Sequence, residues 1–162
     1  MSSFRLIKAI LITGLIAGTL DIVAACVNVS ISSGTAAVVV LQYIASVFLG
    51  KESYAMGFAS ALLGLIVHYA ISYGWTSVFF LLYPKLKFLS GNKVVVGLLY
   101  GVFVWLVMNL VILKLIGSGN RPFNWLQATI GCGILMFCIG VPIAWGANTY
   151  YQHRKSTHHD LN

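Results

Sequence analysis

Acidic side chains are nearly missing from this 162-residue chain: Asp21, Glu52 and Asp160 are the only three, against ten Lys and Arg. Charge of either sign is scarce, at 8% of residues, where a soluble domain carries about a quarter to clothe its surface for water. Three acids so far apart supply no carboxylate pair for acid–base chemistry, and the chain holds no Ser/His/Asp set and no phosphate-binding glycine loop. Cysteine is equally sparse. Cys26, Cys132 and Cys138 form an odd count without CxxC spacing, so they read as small packing residues rather than a redox dithiol.

What is there is apolar. Hydrophobic residues make up 59% of the chain, and the mean hydropathy is +0.92. A fold of this length exposes too much of itself to bury that much apolar surface, so the solvent for the remainder is lipid. The net charge of +7 sits in short loops between apolar runs. No basic face is interleaved with aromatics, so the charge reads as membrane topology rather than nucleic-acid binding.

Four runs have the roughly 20 apolar residues needed to cross a bilayer: 4–29, 55–83, 94–116 and 126–150. The spacing and length predict helices, which satisfy their own backbone in lipid. The segment 34–49 is shorter; as a helix it measures about 24 Å, against a hydrocarbon core of roughly 30 Å. It is expected to be an amphipathic or re-entrant helix with Thr35, Gln42 and Ser46 on one face. Charge distribution favours four spans with both termini in the cytoplasm. That topology places Arg5, Lys8, Lys85, Lys87, Lys93, Arg154 and Lys155 inside and only Lys51, Lys114 and Arg121 outside. A fifth span equalises the two sides. Arg5 and Lys8 before an apolar run resemble a signal peptide, but Asp21 interrupts that run just before the lipoprotein-like Val23-Ala24-Ala25-Cys26. The predicted fold is an all-α, four-helix transmembrane bundle in a single domain, 1–162, with a polar tail at 152–162. Aromatics such as Tyr83, Phe88, Trp125, Tyr150 and Tyr151 mark the span ends, and Pro142 is expected to kink or loosen the last span.

Polar residues inside the spans are the candidate site. Asp21, Asn28, His68 and Asn109 are costly in hydrocarbon, and Gln42 lies in the extra helix. Depth along the helices puts Asp21 about 12 Å and Asn109 about 10 Å below the outer ends of their spans, with His68 roughly 20 Å down. Small residues share their faces: Gly14, Gly18 and Ala25 in the first span, Gly57, Ala61 and Gly64 in the second. Gly97 and Gly101 follow in the third, and Gly133, Gly140 and Ala144 in the fourth. Such seams let helices approach closely, and facing seams bring Asp21, His68 and Asn109 inside. An ionised carboxylate alone in lipid takes up a proton or finds a partner, and His68 is the candidate partner. The pair reads either as a polar contact fixing helix register or as a proton-binding site. No metal site is expected: His153, His158 and His159 lack a defined geometry. A haem would have only His68 as an axial ligand within the membrane, and thiol exchange only Cys26 and Cys132, so no cofactor is expected.

Several stretches resemble a family of small bacterial inner-membrane proteins of the four-helix, domain-of-unknown-function type, similar to the YagU-like ones. They are Gly14-Leu15-Ile16-Ala17-Gly18-Thr19-Leu20-Asp21, Leu41-Gln42-Tyr43-Ile44-Ala45-Ser46, His68-Tyr69 and Tyr83-Pro84-Lys85. Leu99-Tyr100-Gly101, Val104-Trp105-Leu106-Val107-Met108-Asn109 and Gly140-Val141-Pro142 complete the set. The resemblance spans nearly the whole chain. It implies the four-helix membrane fold, a bacterial inner membrane and retention of the Asp-bearing first helix, but no activity. Two functions follow as expectations: a non-enzymatic membrane component that packs against a partner or a second copy, or a small proton-linked channel or transporter using Asp21, His68 and Asn109. A membrane-embedded redox or haem protein stands third.

Overall fold

The structure is a computed structural model that describes residues 2–112 and 124–159, and every element among them is helical. We number the helices α1 (Ser2–Ser33), α2 (Ala37–Leu49), α3 (Phe58–Leu82), α4 and α5. Helix α4 begins as Lys93–Leu106 and continues as a π-helical stretch, Val107–Ile112. Helix α5 comprises Trp125–Ile134, a π-helical Leu135–Gly140 and Val141–His159. Four of the five helices, all but α2, are long and apolar enough to cross a membrane.

Local chemistry sets the ends. Gly34 adopts φ 65°, a left-handed conformation that only glycine takes without strain, and it stops α1; its N–H bonds the Ser30 carbonyl at 3.0 Å. The first span therefore runs four residues beyond 29. Gly57 does the same work in front of α3, with φ 58° and open space where a side chain would stand. This corrects its place in the packing seam: Gly57 is a turn residue, and α3 starts at Phe58 rather than 55. Asn92 caps α4 by accepting from the N–H groups of Val94 and Val95, and Asn124 caps α5 from Leu126 and Gln127, satisfying donors that a helix start leaves open. The end of the third span, with Lys114, falls outside the described residues, as does the turn Arg121-Pro122-Phe123. The loosening expected at Pro142 is the π-helical stretch just before it. Proline has no N–H to bond the Cys138 carbonyl and its ring crowds that oxygen, and a widened turn accommodates both. The polar tail continues α5 to His159.

Glycines then decide the packing. A Cβ on Gly97 would lie 2.7 Å from the Cα of Val141, and one on Gly101 would collide with the Cα of Met136. Gly140 meets the Gly97 carbonyl just as closely, so α4 and α5 touch backbone to backbone. Gly64 receives the Leu41 carbonyl of α2 in the same way, while Gly14 and Gly18 of α1 accept the side chains of Tyr73, Ser72 and Tyr69 from α3. Gly133 has open space around it. The buried core, Ala17, Phe79, Phe80, Val104, Ile143 and Ala147, lies where α1, α3, α4 and α5 meet. Large apolar side chains such as Phe4, Leu15, Ile66, Leu99, Leu126 and Phe137 face outward, a surface suited to lipid and not to water.

Candidate functional site

The polar site is built on the antiparallel contact of α1 with α3. Gly14 and Gly18 stand one turn apart on α1, and without side chains they leave their carbonyl oxygens open to the neighbouring helix. Ser72 Oγ donates to the Gly14 oxygen at 3.0 Å, and His68 Nε2 bonds the Gly18 oxygen at 2.8 Å. Ser72 and His68 are themselves one turn apart, so the two pairs form a short ladder. Thr19 Oγ1 and the Tyr69 hydroxyl meet beside it at 2.8 Å.

Asp21 comes next along the same face of α1. Its Oδ2 lies 4.0 Å from Nδ1 of His68, with side chains 17% and 11% exposed respectively. A carbonyl oxygen can only accept, so His68 Nε2 carries a hydrogen and Nδ1 is the nitrogen turned toward the carboxyl group. Two facing lone pairs with no proton between them repel. The arrangement is stable with a proton on Nδ1, as an ion pair, or on Asp21, as a neutral pair. The separation is an ion-pair distance, beyond the range of a direct hydrogen bond. The edge of the His68 ring also packs on Tyr69, 5.6 Å between centroids.

The other predicted site residues lie elsewhere. Asn28 Nδ2 donates to Gln127 Oε1 at 3.1 Å, joining α1 to α5. Gln42 is buried at the α2–α3 turn: its Nε2 donates to the Gly57 carbonyl at 3.0 Å, and its own carbonyl accepts from Ser53 Oγ at 2.9 Å. Ser60 completes that network by donating to the Ser53 and Gly57 carbonyls. Asn109 turns back on its own helix, donating to the Trp105 carbonyl at 2.9 Å where the π stretch disturbs the regular ladder. The structure thus brings Asp21 and His68 together and leaves Asn28, Gln42 and Asn109 in three separate places. Among the described residues, no buried side-chain nitrogen or oxygen lacks a hydrogen-bond partner.

Sequence reasoning missed several of these groups. Gln127, Ser53 and Ser60 carry no periodic signal, whereas Ser72 lies four residues after His68 and was legible as part of the same face. Further bonds tie α3 to its neighbours: Tyr100 Oη to the Trp75 carbonyl at 2.7 Å, Tyr151 Oη to Phe80 at 2.9 Å, and Asn148 Nδ2 to Tyr83 Oη at 3.0 Å. Cys26, Cys132 and Cys138 are all free thiols. Among the described residues no three His, Cys, Asp or Glu converge as metal ligands; the side chains of His158 and His159 lie outside the described residues.

Among the described residues, fold and site define a class: an all-helical bundle with four helices fit to span a membrane and an Asp–His pair between the first and the third helix. Comparison with protein-family models, curated proteins and solved structures gives no match.

Proposed function

We propose that the chain is a multi-pass protein of the bacterial inner membrane, with both termini in the cytoplasm, that acts without catalysis, as a rigid component assembled with lipid and with a membrane partner or a second copy. In this reading α2 dips into the bilayer from the outer side. The observation that carries it is the fate of the polar groups: His68, Asn28 and Gln42 bond across helices or turns, and Asn109 is satisfied within its own helix. The glycine seams are occupied in the same way. Gly14, Gly18, Gly64, Gly97 and Gly101 all face other helices of this chain, so a partner would meet the outer apolar faces rather than the seams. The family resemblance supports the bacterial inner membrane, and the distribution of Lys and Arg supports the orientation of the termini.

A second reading, proton-linked transport, is favoured by one observation: Nδ1 of His68 faces the Asp21 carboxyl group, and such a pair binds and releases a proton. Asn109 has no part in it, being bonded to its own helix. Reconstituted vesicles with an internal pH indicator separate the two. The packing reading expects no proton flux above protein-free vesicles and a lower unfolding midpoint in Asp21→Asn and His68→Gln. Flux in the wild type that either substitution abolishes, with folding intact, overturns it.

A further inference from the structure

We propose that the groove between α1 and α5 binds one acyl chain of an anionic glycerophospholipid, whose phosphate group is held by Arg5 and Lys8. The proposal requires the chain to sit in a membrane, and it stands whether or not the Asp21–His68 pair moves protons.

The groove encloses about 520 Å³ between the first half of α1 and the last part of α5, within the roughly 300–1,000 Å³ of small-ligand sites. Its floor is the contact of Thr13 with Gly146, where a Cβ on the glycine would collide with the threonine hydroxyl; the missing side chain lets α1 and α5 close on each other there, and the cleft lies outside that contact. Its walls are Ala9, Ile12 and Ile16 on one side and Val141, Trp145 and Thr149 on the other. Ile12, Ile16 and Trp145 remain about half exposed, at 49%, 50% and 54%, so the cleft opens outward to the surrounding medium.

Length and charge together select the occupant. From Val141 to Tyr150 the groove follows α5 for about 14 Å, close to the roughly 15 Å of a single leaflet's hydrocarbon. Arg5 stands one turn before Ala9 and Lys8 one turn before Ile12, on the stripe that lines the groove, and both are exposed. The described acids lie away from that mouth: Asp21 faces His68 farther along α1, and Glu52 belongs to the turn after α2. An apolar slot one leaflet deep with Arg5 and Lys8 at its end, and Lys93 over the Trp145 ring of its wall at 4.3 Å, matches a lipid tail joined to an anionic head group. A zwitterionic head group offers the same tail but repels the cations with its own ammonium group.

The full chain in phosphatidylcholine vesicles, probed with trace spin-labelled phosphatidylglycerol or phosphatidylcholine, tests this through the motionally restricted lipid in the spin-label spectrum. The expected result is association of phosphatidylglycerol roughly tenfold stronger than that of phosphatidylcholine. The double substitution Arg5→Gln/Lys8→Gln should erase that preference while leaving phosphatidylcholine unchanged. Ala9→Phe, which fills the groove, should lower both. Raising salt from about 0.05 to 0.5 M should weaken the preference in the wild type with no substitution at all. Equal association of the two lipids with the wild type, or a preference that survives both high salt and the double substitution, overturns the proposal. So does a concentration-dependent dimer disrupted by Ala9→Phe with no lipid selectivity, because a second copy then fills the groove.

Discussion

The α1–α3 and α4–α5 contacts both rest on pairs of glycines four residues apart, yet they use them differently. On α1 the glycines admit side chains. Ser72 and His68 reach across to the Gly14 and Gly18 carbonyls, and Thr19 meets Tyr69. On α4 the glycines admit backbone: Gly97 and Gly101 lie against Gly140, Val141, Leu135 and Met136. The first contact is directional and fixes register through hydrogen bonds. At its glycines the second depends on shape, since lipid offers no hydrophobic drive for helices to associate and close contact is what remains; Lys93 over the Trp145 ring, 4.3 Å to the centroid, adds a cation–π contact at its end. One motif in a sequence therefore stands for two kinds of interface, and the residues on the partner helix decide which.

Substitutions that treat the two contacts alike should separate them. Gly140→Ala is expected to have the largest effect, about 3 kcal/mol or more of lost stability, because its Cβ meets the backbone of Gly97 and no side chain can move aside. Denaturant titration of the purified protein measures it, and a loss below that of Gly18→Ala would reverse the comparison. Gly18→Ala should cost less, about 1–2 kcal/mol. Its neighbours at 3.0–3.1 Å are the Ser72 and Tyr69 side chains, which can shift, though the His68 bond to the Gly18 carbonyl then loosens. Ser72→Ala removes one interhelical hydrogen bond and is expected to lower stability by about 0.6 kcal/mol. Asn28→Leu combined with Gln127→Leu should be smaller still, because removing both partners leaves no orphaned polar group; either single substitution should cost more than the pair.

Much of this architecture was legible in the residues, and what was not has physical causes. Long apolar runs gave the four spans, since little else explains 59% hydrophobic residues in so short a chain. Their ends were less legible. Gly34 read as the first residue of the 34–49 helix and Gly57 as one more small residue of a seam, and only their left-handed φ reveals them as turn residues. That error also displaced the site. With α1 ending at Ser33 and α3 starting at Phe58, Asp21 and His68 lie about 18 and 15 Å from those ends, at matching depth, where the apolar runs alone suggested a mismatch. The Asp21–His68 contact followed from periodicity because each is the only group of its charge type within its span. Asn109 and Gln42 did not join them, because an amide can satisfy itself on a nearby carbonyl at shorter range. No feature of the sequence distinguishes the carbonyl of the same helix from that of a neighbour. The groove beside Thr13 was invisible for a related reason: its lining comes from two helices far apart in the chain.

The central claim is that Asp21 and His68 act on each other across the α1–α3 contact. A double-mutant cycle with Asp21→Asn and His68→Gln, read as unfolding free energy in one detergent and at one pH, tests it most directly. The account predicts that the two losses are not additive, with a coupling of about 1 kcal/mol, in the range of polar contacts between membrane helices. Additive losses, each substitution costing the same in the presence or absence of the other, would contradict it.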